Sequence, residues 1–313
     1  MAATTLAATT WSPTSSSGVD ELLFRNDTVS LCLLVNRRHR TLRIIDFRAG
    51  PTPSKRNLVL ATARREGVEK IFTLVERDEV PTWTRLGFVR EGSIPGFYKR
   101  SDAWILGAVV SQMASRVRDE GDGEEDAEGA EDREGSPAVI LAERTITRAR
   151  RLLRESEARP LPAVKLAHAS GLDLRRAVAA AQRAGRALTG FEPFGRDAVR
   201  TGYVLSARGG FSLHAAWEMQ SCFGNSFLEL LTSPRSEAER LATTAAIGAL
   251  CDRLVAERAV STFTFAPADD VELSAALLAN GFRRSAVLAR HLVVGRARKD
   301  AILWAKKLVA PEA

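Results

Sequence analysis

Between Gly87 and Gly107 the chain reads GFVREGSIPGFYKRSDAWILG, which sets one glutamate, one tyrosine and one aspartate among aromatic residues. Carboxylates such as Glu91 and Asp102 can hold an amine, and a desolvated Glu91 can take its proton. The hydroxyl of Tyr98 can protonate a leaving group, and Trp83, four residues before Gly87, offers an aromatic wall to a substrate. A plain hairpin explains the same residues: on alternating strands Glu91 falls on a solvated face, Tyr98 is a half-buried ring, and Asp102 is a turn or pairing residue. Elsewhere Glu229, in FLELLTSP, sits on a strand just before a turn, where alternation puts it in solvent. His39 lies in a turn of arginines, and His168, His214 and His291 share no metal or triad spacing. Cys32, Cys222 and Cys251 are odd in number and form no CxxC, so neither a disulfide framework nor a metal is expected.

These side chains must be held by α/β elements. TVSLCLLVN and RTLRIIDF read as a hairpin joined by RRHR. RAGPTPSK is a Gly/Pro turn suited to a helix start, and RNLVLATARREG is a helix closed by Gly67. A strand at VEKIFTLV, a short helix at EVPTWTRLG and the two strands of the opening stretch follow. Further on come a helix at DLRRAVAAAQRAGR, strands at TGYVLSA, FSLHAAWEM and NSFLELLT, a long helix from Ser236 to Arg258, the strand STFTFAP, a helix at DVELSAALLANG and two final strands.

The second series repeats the first. Phe72-Thr73 matches Phe263-Thr264, Asp78 matches Asp269 and Val80 matches Val271, all at one offset of 191. After a three-residue slip Gly87-Phe88 matches Gly281-Phe282, and Asp102-Ala103 faces Asp300-Ala301. The repeat predicts one fold across residues 41–111 and 225–310.

The order strand, Gly-containing turn, helix ending in EG, strand, short helix and LGF resembles the GNAT superfamily of acetyl-CoA-dependent N-acetyltransferases, over residues 28–111 and more weakly 163–310. The phrase from Leu86 to Gly107 is most similar to the small-amine members of the beta-lysine kind. The resemblance implies two GNAT-like mixed-sheet domains in tandem, the first truncated. It also implies acetyl-CoA as cosubstrate, its pyrophosphate held by a turn of the form R/Q-x-x-G-x-G/A at a helix start. That turn maps onto Arg48, Gly50, Thr52, Ser54, Lys55 and Arg56, although Phe47 stands where Arg or Gln is expected and Pro51 and Pro53 lack N–H donors. The second copy, SPRSEAERLATT, offers no glycine, and the resemblance implies that Glu229, on the strand before it, stands where members can carry a base. The tyrosine that members often carry before GF is replaced by Trp83 and by Leu277, which leaves Tyr98 as substitute. The implied activity is transfer of an acetyl group to a small amino-acid-like amine; the alternative is a degenerate, non-catalytic binding or scaffold protein.

Charge divides the chain. Residues 118–134 carry a net −8, which leaves +15 on the rest of a +7 chain and suits an anionic ligand. No base-reading motif supports nucleic acid, and no apolar run is long enough to cross a membrane. The sequence divides into a disordered Thr/Ser-rich leader (1–27), an N-terminal GNAT-like domain (28–116), an acidic disordered linker (117–137), a linker helix (138–160) and a C-terminal GNAT-like domain (161–313). A cytoplasmic protein that acts on a small molecule, as a monomer or homo-oligomer, is expected.

Overall fold

The computed structural model describes residues 18–25, 29–46, 50, 52–98, 100–113, 135–156, 159–196, 199–220 and 223–308. Residues 1–17, Phe47, Arg48, Pro51 and the whole acidic run of residues 118–134 lie outside these. The chain forms two compact units, one of residues up to Glu91 together with 104–132, the other of Gly92–Ala103 together with 133–313.

The first unit runs β1 (Val19–Arg25), β2 (Ser30–Asn36), β3 (Thr41–Asp46), α1 (Pro53–Arg65), β4 (Lys70–Val75), α2 (Val80–Arg85), β5 (Val89–Ile94) and β6 (Ala103–Val109). Its strands lie in the order β1-β2-β3-β4-β6-β5. β1 falls within the stretch expected as a disordered leader. In VDELLFR, Leu22 is buried while Leu23 is exposed, so apolar alternation survives inside polar surroundings and pairs with β2.

The second unit runs α3 (Pro137–Glu155), β7 (Val164–His168), α4 (Gly171–Arg183), β8 (Val199–Ala207), β9 (Phe211–Gln220), β10 (Asn225–Leu230), α5 (Glu237–Ala256), β11 (Ser261–Pro267), α6 (Val271–Ala279), β12 (Arg283–Val294) and β13 (Ala297–Lys307). Its order is β7-β8-β9-β10-β11-β13-β12. The linker helix expected at 138–160 is α3. It buries Ala142, Ile146 and Ala149 and packs on α6, so it belongs to this unit and not to a spacer.

Six strands of the first unit thus repeat six of the second, which adds β7 and α4 in front. In each, one parallel pair interrupts an otherwise antiparallel run: Arg43 faces Phe72 in β3–β4, and Phe227 faces Phe263 in β10–β11. Phe72 then faces Gly107, and Phe263 faces Ala305. The two phenylalanines therefore have equivalent neighbours, as the offset of 191 requires. The repeated Gly-Phe pairs also share one structure. After α2, Phe88 N–H donates to Trp83 O and Gly87 N–H to Thr84 O; after α6, Phe282 donates to Leu277 O and Gly281 to Leu278 O. Both glycines have positive φ, 84° and 78°, so each is the left-handed residue of a Schellman cap whose phenylalanine goes into the core.

Residues 92–103, expected within the N-terminal domain, fold with the second unit. Gly92 pairs with Ala286, and a Cβ on Gly92 would lie 2.4 Å from the Ala286 Cβ, so only glycine permits the approach. Asn225 Nδ2 donates to Phe97 O at 2.6 Å, and the Phe97 ring packs on Phe223 and Phe263.

Candidate functional site

The residues singled out in the opening stretch are not assembled around a substrate-sized space. Glu91 and Lys70 are fully buried and joined by two contacts of 2.6 Å, so the carboxylate is already neutralised and cannot hold an amine as expected. The solvated-face reading fails for the same reason. Trp83 is 1% exposed and stands edge-on to Phe88, making it a core ring and not a substrate wall. Tyr98 is half-buried against Phe97 and Phe223. Asp102 Oδ1 accepts from Gly96 N–H at 2.8 Å and closes the hairpin loop, which is the turn role. Asp300 of the second copy does the same for Arg290 N–H at 2.7 Å.

At the first turn the outcome is divided. Gly50 has φ +112°, and nothing lies within 4 Å of where a Cβ would be. Thr52 occupies the α1 N-cap without a side-chain capping bond, and its hydroxyl is buried without a hydrogen-bond partner. No acidic residue stands in the first helical turn, where Ser54 is exposed and Arg56 half-buried. A phosphate oxygen fits here. Lys55 does not contribute: its ammonium is buried, paired with Asp46 and donating to Gly50 O at 3.0 Å. At the second turn Ser236 caps α5 by accepting from Glu239 N–H, and the Glu239 carboxylate accepts from Arg235 N–H at 2.8 Å. An anion already belonging to the chain sits at that helix start, so a phosphate does not fit without displacing it.

The chemistry gathers instead on the second unit, on the sheet face covered by α4 and the segment 184–196. β10 and β11 pair with each other only from Asn225 to Phe227 and from Ser261 to Phe263, then part while staying paired to β9 and β13. Glu229 lies just beyond the last pair. Sequence alternation placed it in solvent, but all six residues of β10 are buried, because a central strand covered on both faces has no solvated side. Leu228 and Leu230 face the core that includes Trp217 and the α5 residues Ile247 and Leu250. Phe227 and Glu229 face the other way.

Three glutamates and one arginine meet there. Glu218 is saturated: it accepts from Phe194 N–H at 2.8 Å, from Gly195 N–H at 2.5 Å and from Arg200 at 3.0 Å, which fixes the covering segment. Glu192 accepts from Gly190 N–H at 2.9 Å. Glu229 Oε1 accepts from the Thr189 hydroxyl at 2.5 Å, while Oε2 accepts no hydrogen bond and has only Arg200 at 3.5 Å. Burial pushes the Glu229 carboxyl up to about 8; Arg200 and the Thr189 bond pull it back, and Glu192 and Glu218 add to the rise. Rings of Phe194, Phe227, Phe263 and Phe265 make the adjoining wall, with centroids 4.8 to 6.2 Å apart, and His291 lies 4.7 Å from Phe265. Phe191, in the covering segment, has φ 61°, a strained value for an aromatic residue. Thr189, Glu192, Arg200 and Glu218 were not visible as site residues; the clustering of Gly and Phe in TGFEPFG was the one local signal.

The raised carboxyl has a consequence for stability. An unfolded glutamate ionises near 4.5 and folded Glu229 near 8, so between these values the native state keeps a proton that the unfolded chain has lost. Stability therefore falls as pH rises from about 4.5 to 8, by up to about 1.4 kcal/mol per pH unit. Denaturant melts from pH 5 to 9 are expected to show this slope, and Glu229→Gln to remove that part of it.

No family model and no curated protein matches the chain. Among solved structures it is similar to the ribosomal-protein-S18-alanine N-acetyltransferase of Escherichia coli (16% identity, TM-score 0.37, 48% of this chain and 97% of that one). It is similar also to a spermidine N-acetyltransferase SpeG variant of Vibrio cholerae (11%, 0.38, 46% and 94%). A third is the microcin C7 self-immunity acetyltransferase MccE bound to acetyl-CoA and AMP (12%, 0.30, 34% and 61%). By its own strand order the chain is two mixed α/β units that repeat one arrangement, and among the described residues the second has a further strand and helix in front of it. Among the described residues no helix is long and apolar enough to cross a membrane, and no three His, Cys, Asp or Glu side chains are placed to hold a metal ion.

Proposed function

We propose that the protein is an N-acetyltransferase whose proton chemistry lies in the second unit, at Glu229, and whose acceptor is a small amine. The observation that carries this reading is a buried carboxyl, raised to about 8, with one oxygen unclaimed by any donor, just where two parallel strands separate. Acetyl-CoA would supply the acetyl group as a thioester that only a neutral amine attacks: the N–C bond would form as the C–S bond breaks, and the departing thiolate would take up the proton that the attacking nitrogen sheds. Glu229 Oε2 takes the proton that a bound ammonium must lose, Thr189 holds the other oxygen, and Arg200 favours the ionised form that accepts it. The Glu192 carboxylate attracts a cationic amine, and the phenylalanine wall excludes water.

For the cosubstrate, the first turn remains the better phosphate cradle, through Gly50, Thr52, Ser54, Arg56 and the uncapped start of α1. Its unit has no matching carboxyl: Ile45, two residues beyond Arg43, stands where Glu229 stands beyond Phe227. Affinity and turnover are therefore expected to separate. In calorimetry with acetyl-CoA, Gly50→Val loses most of the heat, while Arg235→Ala binds like the parent. Glu239→Gln, which weakens the anion at the α5 start, raises turnover at low acetyl-CoA. If Gly50→Val binds like the parent and Arg235→Ala does not, the phosphate site is at α5.

The non-catalytic reading draws on specific residues too. Trp83 and Leu277 fill the two positions where the resemblance implies a tyrosine, and both are core side chains. An intact chain that gives no heat with acetyl-CoA and no thiol release with any amine would establish that reading.

A further inference from the structure

The second unit holds a cavity that acyl transfer does not use. It has a volume of about 940 Å³ and lies at the N-terminal ends of β10 and β11, with Phe263 in its wall and Glu229 not among its lining residues. Arg100, Arg283, Arg284, Lys306 and Lys307 line it, and none of its described lining residues is acidic. The nearest carboxylate partner recorded for these five, Glu143, lies 3.6 Å from Arg284 and is itself 60% exposed, which makes it a weak, solvent-screened pair. The rest of the wall is apolar and aromatic: Ile94, Phe223, Val260 and Phe263. The Ser285 hydroxyl in the lining is buried without a hydrogen-bond partner. The wall is also preformed, because Gly92 pins the hairpin to Ala286 and Asn225 holds Phe97 O.

We propose that this cavity binds a nucleotide-sized organic polyanion. Arg100, Arg283 and Lys307, with Lys306 beside the Phe282 ring and Arg284 only weakly paired to the exposed Glu143, hold two or more negative charges, the rings and aliphatic side chains accept a flat apolar group, and the volume is that of a small-molecule site. Concavity favours a small molecule over a nucleic-acid strand, which meets extended basic faces. The proposal does not depend on acyl transfer.

The test is calorimetry on the intact chain with ADP and with inorganic tripolyphosphate, in the parent, in Gly50→Val and in the double variant Arg100→Glu/Arg283→Glu. Both arginines of the double variant are exposed, and an unchanged melting temperature confirms that it folds. ADP is expected to bind the parent and Gly50→Val alike, to bind the double variant at least tenfold more weakly, and to bind more tightly than tripolyphosphate. Equal binding to parent and double variant overturns the site, and tripolyphosphate binding as tightly as ADP removes the role of the apolar wall and with it the nucleotide. Loss of ADP binding in Gly50→Val would move the site to the first turn. A single-stranded oligonucleotide that binds where ADP gives no heat would assign the surface to nucleic acid and end the proposal.

Discussion

Glu229→Gln is expected to lower kcat for acetyl transfer by a factor of about 10² to 10⁴ at saturating amine and acetyl-CoA, the range that a positioned general base contributes. Glutamine has the shape of glutamate and can still accept from Thr189 through its carbonyl, so the fold around β10 is kept. It cannot take a proton. The substitution also removes the cost of ionising a buried carboxyl, so above about pH 7 the variant should be more stable than the parent while being far less active. A residue that served packing alone would not separate the two properties in this direction. KM for the amine should change less than kcat, because Glu192 and the phenylalanine wall beside the site are unchanged. A variant that keeps full turnover, or one that loses activity and stability together, would count against Glu229 as base.

Gly107→Ala should cost about 3 to 5 kcal/mol, the penalty for disrupting a buried ion pair, out of a total stability of about 5 to 15 kcal/mol. Gly107 lies on β6, and the Lys70–Glu91 pair passes directly over it. An added Cβ would stand 2.2 Å from Glu91 Oε2 and 2.6 Å from Lys70 Nζ. The charged ends would have to separate with no water to receive them, since both side chains are fully buried. The same reasoning gives an internal control. In a Lys70→Met/Glu91→Leu background, where no buried charge is left to expose, adding Gly107→Ala should cost clearly less, and the difference measures the coupling. Urea melts of the four proteins decide it; a penalty below about 1 kcal/mol in the parent background would mean that the pair moves aside freely.

The sequence displayed the architecture better than the chemistry, for reasons visible in particular residues. The repeated Gly-Phe pairs could be found because a Schellman cap needs a residue at positive φ followed by an apolar anchor, and both copies keep Gly and Phe there. Gly50 and Gly67 were legible as turn and cap residues on the same grounds. β1 and β7 were not recognised, being short edge strands in polar or proline-flanked surroundings. Burial of charge was not legible at all. Alternation assigned Glu91 and Glu229 to solvent, yet one closes on a lysine 21 positions away and the other on a threonine 40 positions away, and neither partner is marked by local spacing. Lys55 misled in the opposite sense. A cation in the first turn of a helix suits a phosphate, but the side chain turns inward because Asp46, at the end of β3, is the nearer anion.

The most direct measurement of the central claim is the pH dependence of kcat, followed by release of the coenzyme A thiol from acetyl-CoA with a panel of saturating primary amines that includes polyamines and amino acids, for the parent and for Glu229→Gln. With substrate bound, kcat reports the ionisation of the group that must accept the proton. The account predicts that parent turnover with at least one amine rises with pH and levels off above about 8, and that the variant shows little turnover and no such inflection. Turnover that is equal in both proteins, or a parent that releases no thiol above the buffer rate with any amine at any pH, would contradict it.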